Sequence, residues 1–195
     1  GKKFKKCCLG KVQPVAVARG SVGASAFGLA ADGTSVWTAN WGDDTVSRIN
    51  PATNTVMAPI TVGNGPDSVA SDGIAVWVTN SDDNTVSRID PATNTVTATV
   101  PVGTNPRGVA LGGGAVWVAN AGANSVSRID PATNTVTATV PVGMNPDGIA
   151  FGEGAVWVAN WDDGTISRID PATNTVVATI PVGLVDSVVA GGGSV

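Results

Sequence analysis

Residues 116–143 read VWVANAGANSVSRIDPATNTVTATVPVG, and near-copies of this stretch fill most of the 195-residue chain. The string SRIDPATNTVTATVPVG stands unchanged at residues 87–103 and again at residues 127–143. Tryptophan recurs with a spacing of 40 residues, at Trp37, Trp77, Trp117 and Trp157. A fixed period of this length indicates tandem copies of one supersecondary unit.

Each repeat contains four short apolar runs, as residues 106–143 illustrate. PRGVAL and AVWVAN are separated by glycines, and SVSRI and TVTATV are separated by the turn sequence DPATN. PRGVAL is a short apolar run, AVWVAN is β-branched and aromatic, and apolar residues alternate with polar ones in SVSRI and TVTATV, all of which is typical of β-strands. Asp130 and Pro131 suit the turn, because the carboxylate accepts hydrogen bonds from following amides and proline presets φ. Four strands every 40 residues predict an all-β fold, a β-propeller of four-stranded blades. A β-sandwich is the competing fold, but sandwiches do not repeat their sequence in this way.

We name the strands of a blade A to D, from the central channel outward: strand A is the PRGVAL run, B is AVWVAN, C is SVSRI and D is TVTATV. The strand B tryptophans are predicted to pack between neighbouring blades. The arginine and aspartate of each SRID motif are predicted to pair blade edges and cap turns.

The repeats predict a domain organisation with a basic tail at residues 1–11 and a propeller at residues 12–195. Four full units are expected at about residues 27–66, 67–106, 107–146 and 147–186. Residues 12–26 and 186–195 are expected to share a fifth blade, with residues 12–18 as its outer strand and 186–191 as its inner strand. Sharing a blade between the chain ends would remove exposed sheet edges. The alternative is a segment of a larger propeller.

Composition excludes several classes of chemistry. The chain has no histidine, so histidine-based nucleophilic catalysis and imidazole metal sites are excluded. Its two cysteines, Cys7 and Cys8, are adjacent and lack the spacing of a metal site. No apolar run reaches the roughly 18 residues of a membrane-spanning helix, so an integral membrane protein is not expected.

Charge is distributed unevenly along the chain. Six of the 11 basic residues lie in residues 1–19, which contain no acid. The other five basic residues and all 15 acids lie in the rest of the chain. The predicted propeller body therefore carries a net charge of −10. Nucleic-acid binding by this body is not expected, because phosphate contacts need a basic surface.

The strings WVTN and WVAN, each followed by SRIDPATNTV or a close variant, resemble the YVTN-type β-propeller repeat of bacterial and archaeal cell-surface proteins. Tryptophan stands here where that repeat usually has its leading tyrosine, and the resemblance covers about residues 27–190. It implies a propeller and an extracellular or cell-envelope location, but no single activity. Streptogramin lyases and lactonases have related propellers. The resemblance implies a histidine base for the lyases, which this chain lacks, and a channel metal held by acids and asparagines for the lactonases.

Candidate site residues cluster where the repeats differ from one another. The D–A and B–C connections of a propeller emerge on one face, and we call this the loop face. Variation on a rigid scaffold marks a place for function. The D–A connections are expected to present Asp67, Arg107 and Asp147, together with Asn64, Asn105 and Asn145. The B–C loops carry Trp41, Asp43, Asp44, Asp82, Asp83, Trp161, Asp162 and Asp163.

Two interpretations are open for each group in these loops. The paired aspartates have the oxygen ligands that calcium prefers, but Asp-Asp-Gly and Asp-Asp-Asn are also ordinary turn sequences. Trp41 and Trp161 suit stacking on a sugar or gripping a peptide, or alternatively shield a neighbouring loop.

The sequence therefore favours a non-catalytic binding or scaffold module that recognises a protein, peptide or carbohydrate on the loop face. No catalytic residue and no cofactor is assigned, with calcium left open. One alternative is a metal-dependent hydrolase or lactonase that uses Asp67 and Asp147. Another is a surface-layer or self-assembling structural module.

Overall fold

The structure is a computed structural model, and it describes residues 21–190. These residues form four antiparallel sheets, each a blade. Blade 1 contains β1 (Ala26–Ala31), β2 (Val36–Asn40), β3 (Thr45–Asn50), β4 (Thr55–Val56) and β5 (Ile60–Thr61). Blade 2 contains β6 (Pro66–Ser71), β7 (Val76–Asn80), β8 (Thr85–Asp90) and β9 (Thr95–Pro101). Blade 3 contains β10 (Pro106–Gly112), β11 (Ala115–Asn120), β12 (Ser125–Asp130) and β13 (Thr135–Pro141). Blade 4 contains β14 (Pro146–Gly152), β15 (Ala155–Asn160), β16 (Thr165–Asp170) and β17 (Thr175–Pro181).

The predicted all-β propeller of four-stranded blades is confirmed. Short 3₁₀ turns occur at Trp41–Asp43 and Ala121–Ala123. Strand D of blade 1 is split into β4 and β5 around Pro59, since proline has no amide hydrogen to donate to a sheet. Within residues 21–190, no helix has the length and apolarity needed to cross a membrane.

The DPATN sequence forms the same turn in blades 2 to 4. In blade 3 the Asp130 carboxylate accepts a hydrogen bond from the Ala132 amide at 2.9 Å. The Asn134 amide donates to the Asp130 carbonyl at 2.8 Å, and Asn134 takes a left-handed φ of 56°. Asparagine tolerates this conformation better than most residues. The aspartate of SRID therefore caps the turn, as the sequence predicts.

The repeated tryptophan packs against the following blade. Trp117 is fully buried in a cluster with Ile149, Val156 and Ile169 of blade 4. Its indole Nε1 donates to the Gly112 carbonyl at 3.1 Å. The cross-strand partner Arg128 places its guanidinium carbon 5.6 Å from the indole centroid, within cation–π range. The predicted packing between blades is thus present at the interfaces of blades 1–2, 2–3 and 3–4.

The A–B turn of blade 1 contains a carboxylate that the sequence analysis did not single out. Asp32 accepts hydrogen bonds from Trp37 Nε1 at 2.8 Å and from Ser71 Oγ of blade 2 at 2.9 Å. It also accepts bonds from the Thr34 amide and hydroxyl. Burial alone would raise the pKa of Asp32, but the bonds from Thr34, Trp37 and Ser71 outweigh it and hold the pKa well below its usual range. Asp32 therefore ties blade 1 to blade 2.

Blade 1 has a sheet face without a neighbour among the described residues. Leu29 is 69% exposed, whereas the residues at the same repeat position, Val69, Val109 and Ile149, are buried against the preceding blade. Residues 21–25 nevertheless make the contacts of a D–A connection, because the Trp41 amide donates to the Ser25 carbonyl at 3.0 Å. The predicted outer strand at residues 12–18 lies outside the described residues, as do the basic tail at residues 1–11 and the two cysteines.

The predicted inner strand at residues 186–191 is only partly in agreement with the structure. Residues 186–190 run beside β14, and the Gly148 amide donates to the Asp186 carbonyl at 3.0 Å. They are not a β-strand, because no regular ladder of hydrogen bonds forms among the described residues. The described chain thus contains four blades, and the fifth blade stays a prediction.

Candidate functional site

One repeat position lies at the mouth of the central channel on the loop face. It is the second residue of strand A, and it is occupied by Phe27, Asp67, Arg107 and Asp147 in blades 1 to 4. We call this set, together with Asp186, the channel mouth. The sequence analysis assigned Asp67, Arg107 and Asp147 to D–A connections. The structure corrects this placement, because strand A begins one residue earlier, at Pro66, Pro106 and Pro146.

A bulge in strand A orients these side chains. In blade 2, Pro66 pairs with Asn80 and Val69 pairs with Val78, and the register shifts between the two pairs. The same shift occurs in the other three blades. A bulge of this kind bends the strand and re-aims its side chains.

Glycine next to this position lets neighbouring inner strands approach closely. A β-carbon on Gly28 would lie 2.6 Å from Ser68 Cα, and one on Gly148 would lie 2.6 Å from Ser187 Cα. Because these glycines carry no side chain, the strands A enclose a narrow channel. A cavity of about 300 Å³ is lined there by Asp67, Asp147 and Asp186 among others.

Three carboxylates and one guanidinium share the channel mouth. Arg107 Nη1 lies 3.8 Å from Asp147 Oδ2, and both side chains are partly exposed. Burial raises the pKa of Asp67, while the positive charge of Arg107 lowers it and the negative charge of Asp147 raises it further. Burial likewise raises the pKa of Asp147, while the positive charge of Arg107 lowers it and the negative charge of Asp186 raises it further. Desolvation and like charge both disfavour ionised carboxylates, so the site favours a ligand that supplies positive charge or hydrogen-bond donors.

Asp186 was missed by the sequence analysis as a site residue. It follows Asp147 by 39 positions rather than 40, because the last D–A connection is one residue shorter. A signal was nevertheless present, since Asp186 begins the tripeptide DSV, and the same tripeptide begins at Asp67. Matching short strings without a fixed period would have identified it.

The second candidate group, the B–C loop acids, does not converge on the channel. Asp43 Oδ2 accepts the Ala24 amide at 2.6 Å, and Asp163 Oδ2 accepts the Met144 amide at 2.6 Å. Asp83 accepts both the amide and the side-chain nitrogen of Asn64. These three aspartates therefore cap the neighbouring D–A connection.

The other loop acids are also engaged locally. Asp44 takes a left-handed φ of 55°, and its Oδ1 accepts the Gly65 amide at 2.9 Å. Asp162 Oδ1 lies 3.4 Å from Asn145 Nδ2, and Asp82 lies against Gly65. Among residues 21–190, no group of three or more acidic, cysteine or histidine side chains is arranged to share a metal ion. The paired aspartates therefore link each B–C loop to a neighbouring D–A connection.

The two loop-face tryptophans are partly exposed, Trp41 at 36% and Trp161 at 41%. Both occupy the first position of a B–C loop, where blades 2 and 3 have the buried residues Ser81 and Ala121. Trp41 packs edge-to-face on Phe27, with ring centroids 6.0 Å apart. The aromatic pair therefore borders the channel mouth at blade 1.

The chain is similar to Kuenenia stuttgartiensis hydrazine synthase, with a TM-score of 0.78, 19% identity, and coverage of 87% of this chain and 52% of the other. It is similar to virginiamycin B lyase from Staphylococcus aureus, with a TM-score of 0.76, 19% identity, and coverage of 87% and 61%. It is also similar to a streptogramin B lyase structure, with a TM-score of 0.73, 19% identity, and coverage of 85% and 59%.

These likenesses establish the fold alone, and the chain spans 52% to 61% of the length of these structures. No curated protein sequence matches the chain. Residues 66–170, more than half of the sequence, match the model of the YNCE-like beta-propeller family. The chain belongs to the YNCE-like beta-propeller family.

Proposed function

We propose that the protein is a non-catalytic binding module that recognises its ligand at the channel mouth on the loop face. One observation carries the proposal. The repeats are nearly identical in their framework, yet the second position of strand A changes from Phe27 to Asp67, Arg107 and Asp147; Phe27, Asp67 and Asp147 line the cavity, and Arg107 lies 3.8 Å from Asp147. The strand B tryptophan, which belongs to the framework, is by contrast the same residue in every blade.

The chemistry of the channel mouth narrows the ligand class. Three carboxylates face one guanidinium, so a bound amine, guanidinium or polyhydroxyl group would complete the site. Trp41 and Trp161 add flat apolar surfaces at the rim, which suit a sugar ring or a peptide side chain. The ligand is therefore a basic peptide or a carbohydrate bound at the top of the channel.

The test is a binding screen on full-length protein with matched variants. Immobilised protein is probed with a glycan array and with a library of lysine- and arginine-containing peptides. Hits are expected to weaken at least about tenfold in Asp67→Asn and Trp41→Ala, as charge-assisted and stacking contacts are lost. Glu153→Gln, an exposed substitution in the A–B turn on the opposite face, serves as the control and should bind normally. Hits that are insensitive to the channel-mouth variants would refute the proposal.

A second candidate is a hydrolase of the lactonase type, favoured by one observation. Asp67 and Asp147 have raised pKa values in a concave site, and perturbed carboxylates of this kind are candidates for acid–base or metal chemistry. Lactone turnover is measured with and without a chelator and with added calcium. We expect no turnover above the buffer blank. Chelator-sensitive turnover that Asp147→Ala abolishes would establish the enzyme and overturn the binding module.

We further propose that the chain is of the YVTN type and acts outside the cell or in its envelope, because of its WVTN and WVAN motifs. Surface proteolysis of intact source cells should then degrade it, whereas a protected protein would contradict this location. Self-assembly into an array is the remaining structural candidate, favoured by the exposed face of blade 1 around Leu29. A mass that rises with protein concentration would support it, and a constant monomer mass would exclude it.

A further inference from the structure

A carboxylate is present in three of the four B–C loops and missing from the fourth. Asp43, Asp83 and Asp163 occupy one repeat position, and blade 3 has Ala123 there. This position lies at the outer part of the loop face and is distinct from the channel mouth. Blade 3 therefore lacks the anionic group that the other three blades hold at this position.

The three aspartates make the same contact in their own blades. Their Oδ2 atoms accept the amides of Ala24, Asn64 and Met144 at 2.6 to 2.8 Å. The same oxygens pack against Gly23, Gly63 and Gly143, at 2.6 to 2.7 Å from the position that a β-carbon would take. At the equivalent Gly103, the close neighbours are atoms of Asn120 and include no carboxylate. Within residues 21–190, no hydrogen bond is found from the Thr104 amide, which is the blade 3 counterpart of the capped amides.

The place left by the carboxylate is part of a larger cavity. Blade 3 has a cavity of about 500 Å³ lined by Gly103, Ala123 and Asn124. The corresponding cavity in blade 1, which contains Asp43, has a volume of about 320 Å³. The cavity at this position thus contains a carboxylate in blade 1 and none in blade 3.

The lining of the blade 3 cavity suits a carboxylate with an apolar neighbour. Ser127 lines it and is 1% exposed, and its Oγ accepts a hydrogen bond from Asn120 Nδ2 at 3.0 Å, as the equivalent serines of the other blades do from their asparagines. Pro101, Val102 and Pro141 form an apolar wall. Residues 121–124 contain no acid, so an incoming anion meets no like charge in this loop.

We propose that the blade 3 cavity binds a carboxylate group of a ligand, which takes the place that Asp43, Asp83 and Asp163 occupy in the other blades. The carboxylate accepts the Thr104 amide and lies beside the Ser127 hydroxyl. The rest of the ligand packs on the apolar wall. This inference is independent of the channel mouth and assigns a second site on the loop face.

The test follows amide resonances of isotope-labelled full-length protein during titration with sodium acetate, with sodium chloride as the ionic-strength control. The Thr104 amide should shift saturably with acetate and not with chloride. The amides of Ala24, Asn64 and Met144, which are already capped, serve as internal controls and should stay in place. No acetate-specific shift of Thr104, or an equal shift of all four amides, would overturn the proposal.

Two reciprocal variants sharpen the result. Ala123→Asp should supply the missing cap and weaken the acetate response of Thr104 at least about tenfold. Asp83→Ala should open an equivalent site in blade 2, so that the Asn64 amide becomes acetate-responsive. If Ala123→Asp fails to fold, the Asp83→Ala variant still decides, since an unresponsive Asn64 amide would contradict the inference.

The source of the carboxylate is distinguished with three blocked amino acids. N-acetyl-aspartate amide carries only a side-chain carboxylate, N-acetyl-alanine carries only a terminal carboxylate, and N-acetyl-alanine amide carries neither. Whichever of the first two shifts Thr104 at the lower concentration identifies an acidic side chain or a chain terminus as the ligand group. A response to the neutral amide equal to that of both carboxylates would refute carboxylate recognition.

Discussion

The clearest energetic test compares Trp117 and Trp157, which have equivalent hydrogen-bond and cation–π partners. Trp117 and Trp157 each donate Nε1 to a glycine carbonyl, at 3.1 and 3.0 Å, and each lies 5.6 Å below an arginine guanidinium carbon. They differ in what covers the outer face of the indole. Trp117 is fully buried against blade 4, whereas Trp157 borders a cavity of about 420 Å³ next to Val188 and Ala190.

The Trp117→Ala substitution should lower the free energy of unfolding by about 3–5 kcal/mol, the usual cost of truncating a buried aromatic residue. In a protein of this size that corresponds to a decrease in Tm of roughly 6–20 °C. Trp157→Ala should cost roughly 1 kcal/mol less, because its indole is only partly buried and exposed apolar surface gains none of the roughly 25 cal/mol per Å² that burial contributes. The hydrogen bond and cation–π contact are common to both sites and cancel in the comparison.

The measurement is urea unfolding followed by circular dichroism, with Val177→Thr as the control. Val177 is exposed on β17, and the corresponding residues of blades 2 and 3 are threonines, so this variant should be near neutral. Equal losses for Trp117→Ala and Trp157→Ala would refute the reasoning. Such a result would mean that residues outside 21–190 complete a fifth blade over Trp157.

Four further outcomes are expected. Asp83→Ala should lower the free energy of unfolding by about 1 kcal/mol and Ala123→Asp should raise it by a similar amount, because each changes one carboxylate cap on an exposed amide; urea titration checks both. The raised pKa of Asp67 means that the folded state binds its proton more tightly than the unfolded state does. Stability should therefore fall as pH rises from the ordinary carboxyl pKa through the raised value, and Asp67→Asn should flatten that part of a pH–stability profile. The lowered pKa of Asp32 has the opposite effect on the pH dependence of stability. The contribution of Asp32 to the free energy of unfolding is present above about pH 4 and is lost on acidification. Asp32→Asn should cost about 1–3 kcal/mol at pH 7, and a difference that persists in acid would contradict this assignment. Deleting residues 1–20 should lower Tm and promote oligomers if those residues contribute to a shared fifth blade, and an unchanged monomer with unchanged melting would contradict it.

Much of the fold could be predicted because neighbouring residues in each repeat encode its strands and turns. The alternation in TVTATV, the DPATN turn and the 40-residue spacing each constrain neighbouring residues only. The packing of the strand B tryptophan between blades follows from the same pattern, since a large apolar side chain repeated in every sheet must be covered by the next sheet. These inferences needed no knowledge of how distant residues meet.

The roles of the acidic residues could not be predicted in the same way. Asp43 and Asp67 both stood out in the sequence as acids where the repeats vary. The structure places the first on the Ala24 amide, 19 residues away, and the second at the channel mouth. Whether an acid caps an amide or lies at the channel mouth depends on the contact between a B–C loop and the preceding D–A connection. No local sequence pattern encodes that contact.

Period and alternation are properties of adjacent residues, so the class of fold, the blade pattern and the face that carries the variable residues can be inferred from the chain without coordinates. Which of the variable residues come together depends on how distant loops and strands pack. Asp186 joins Asp67 and Asp147 because the inner strands curve around one axis, which brings blades far apart in sequence to the same cavity. Ala123 marks a vacant anion position only by comparison with the three blades whose aspartates fill it. Because the four described sheets are nearly identical, a single substitution in one of them changes the shape and charge of the surface where distant loops meet.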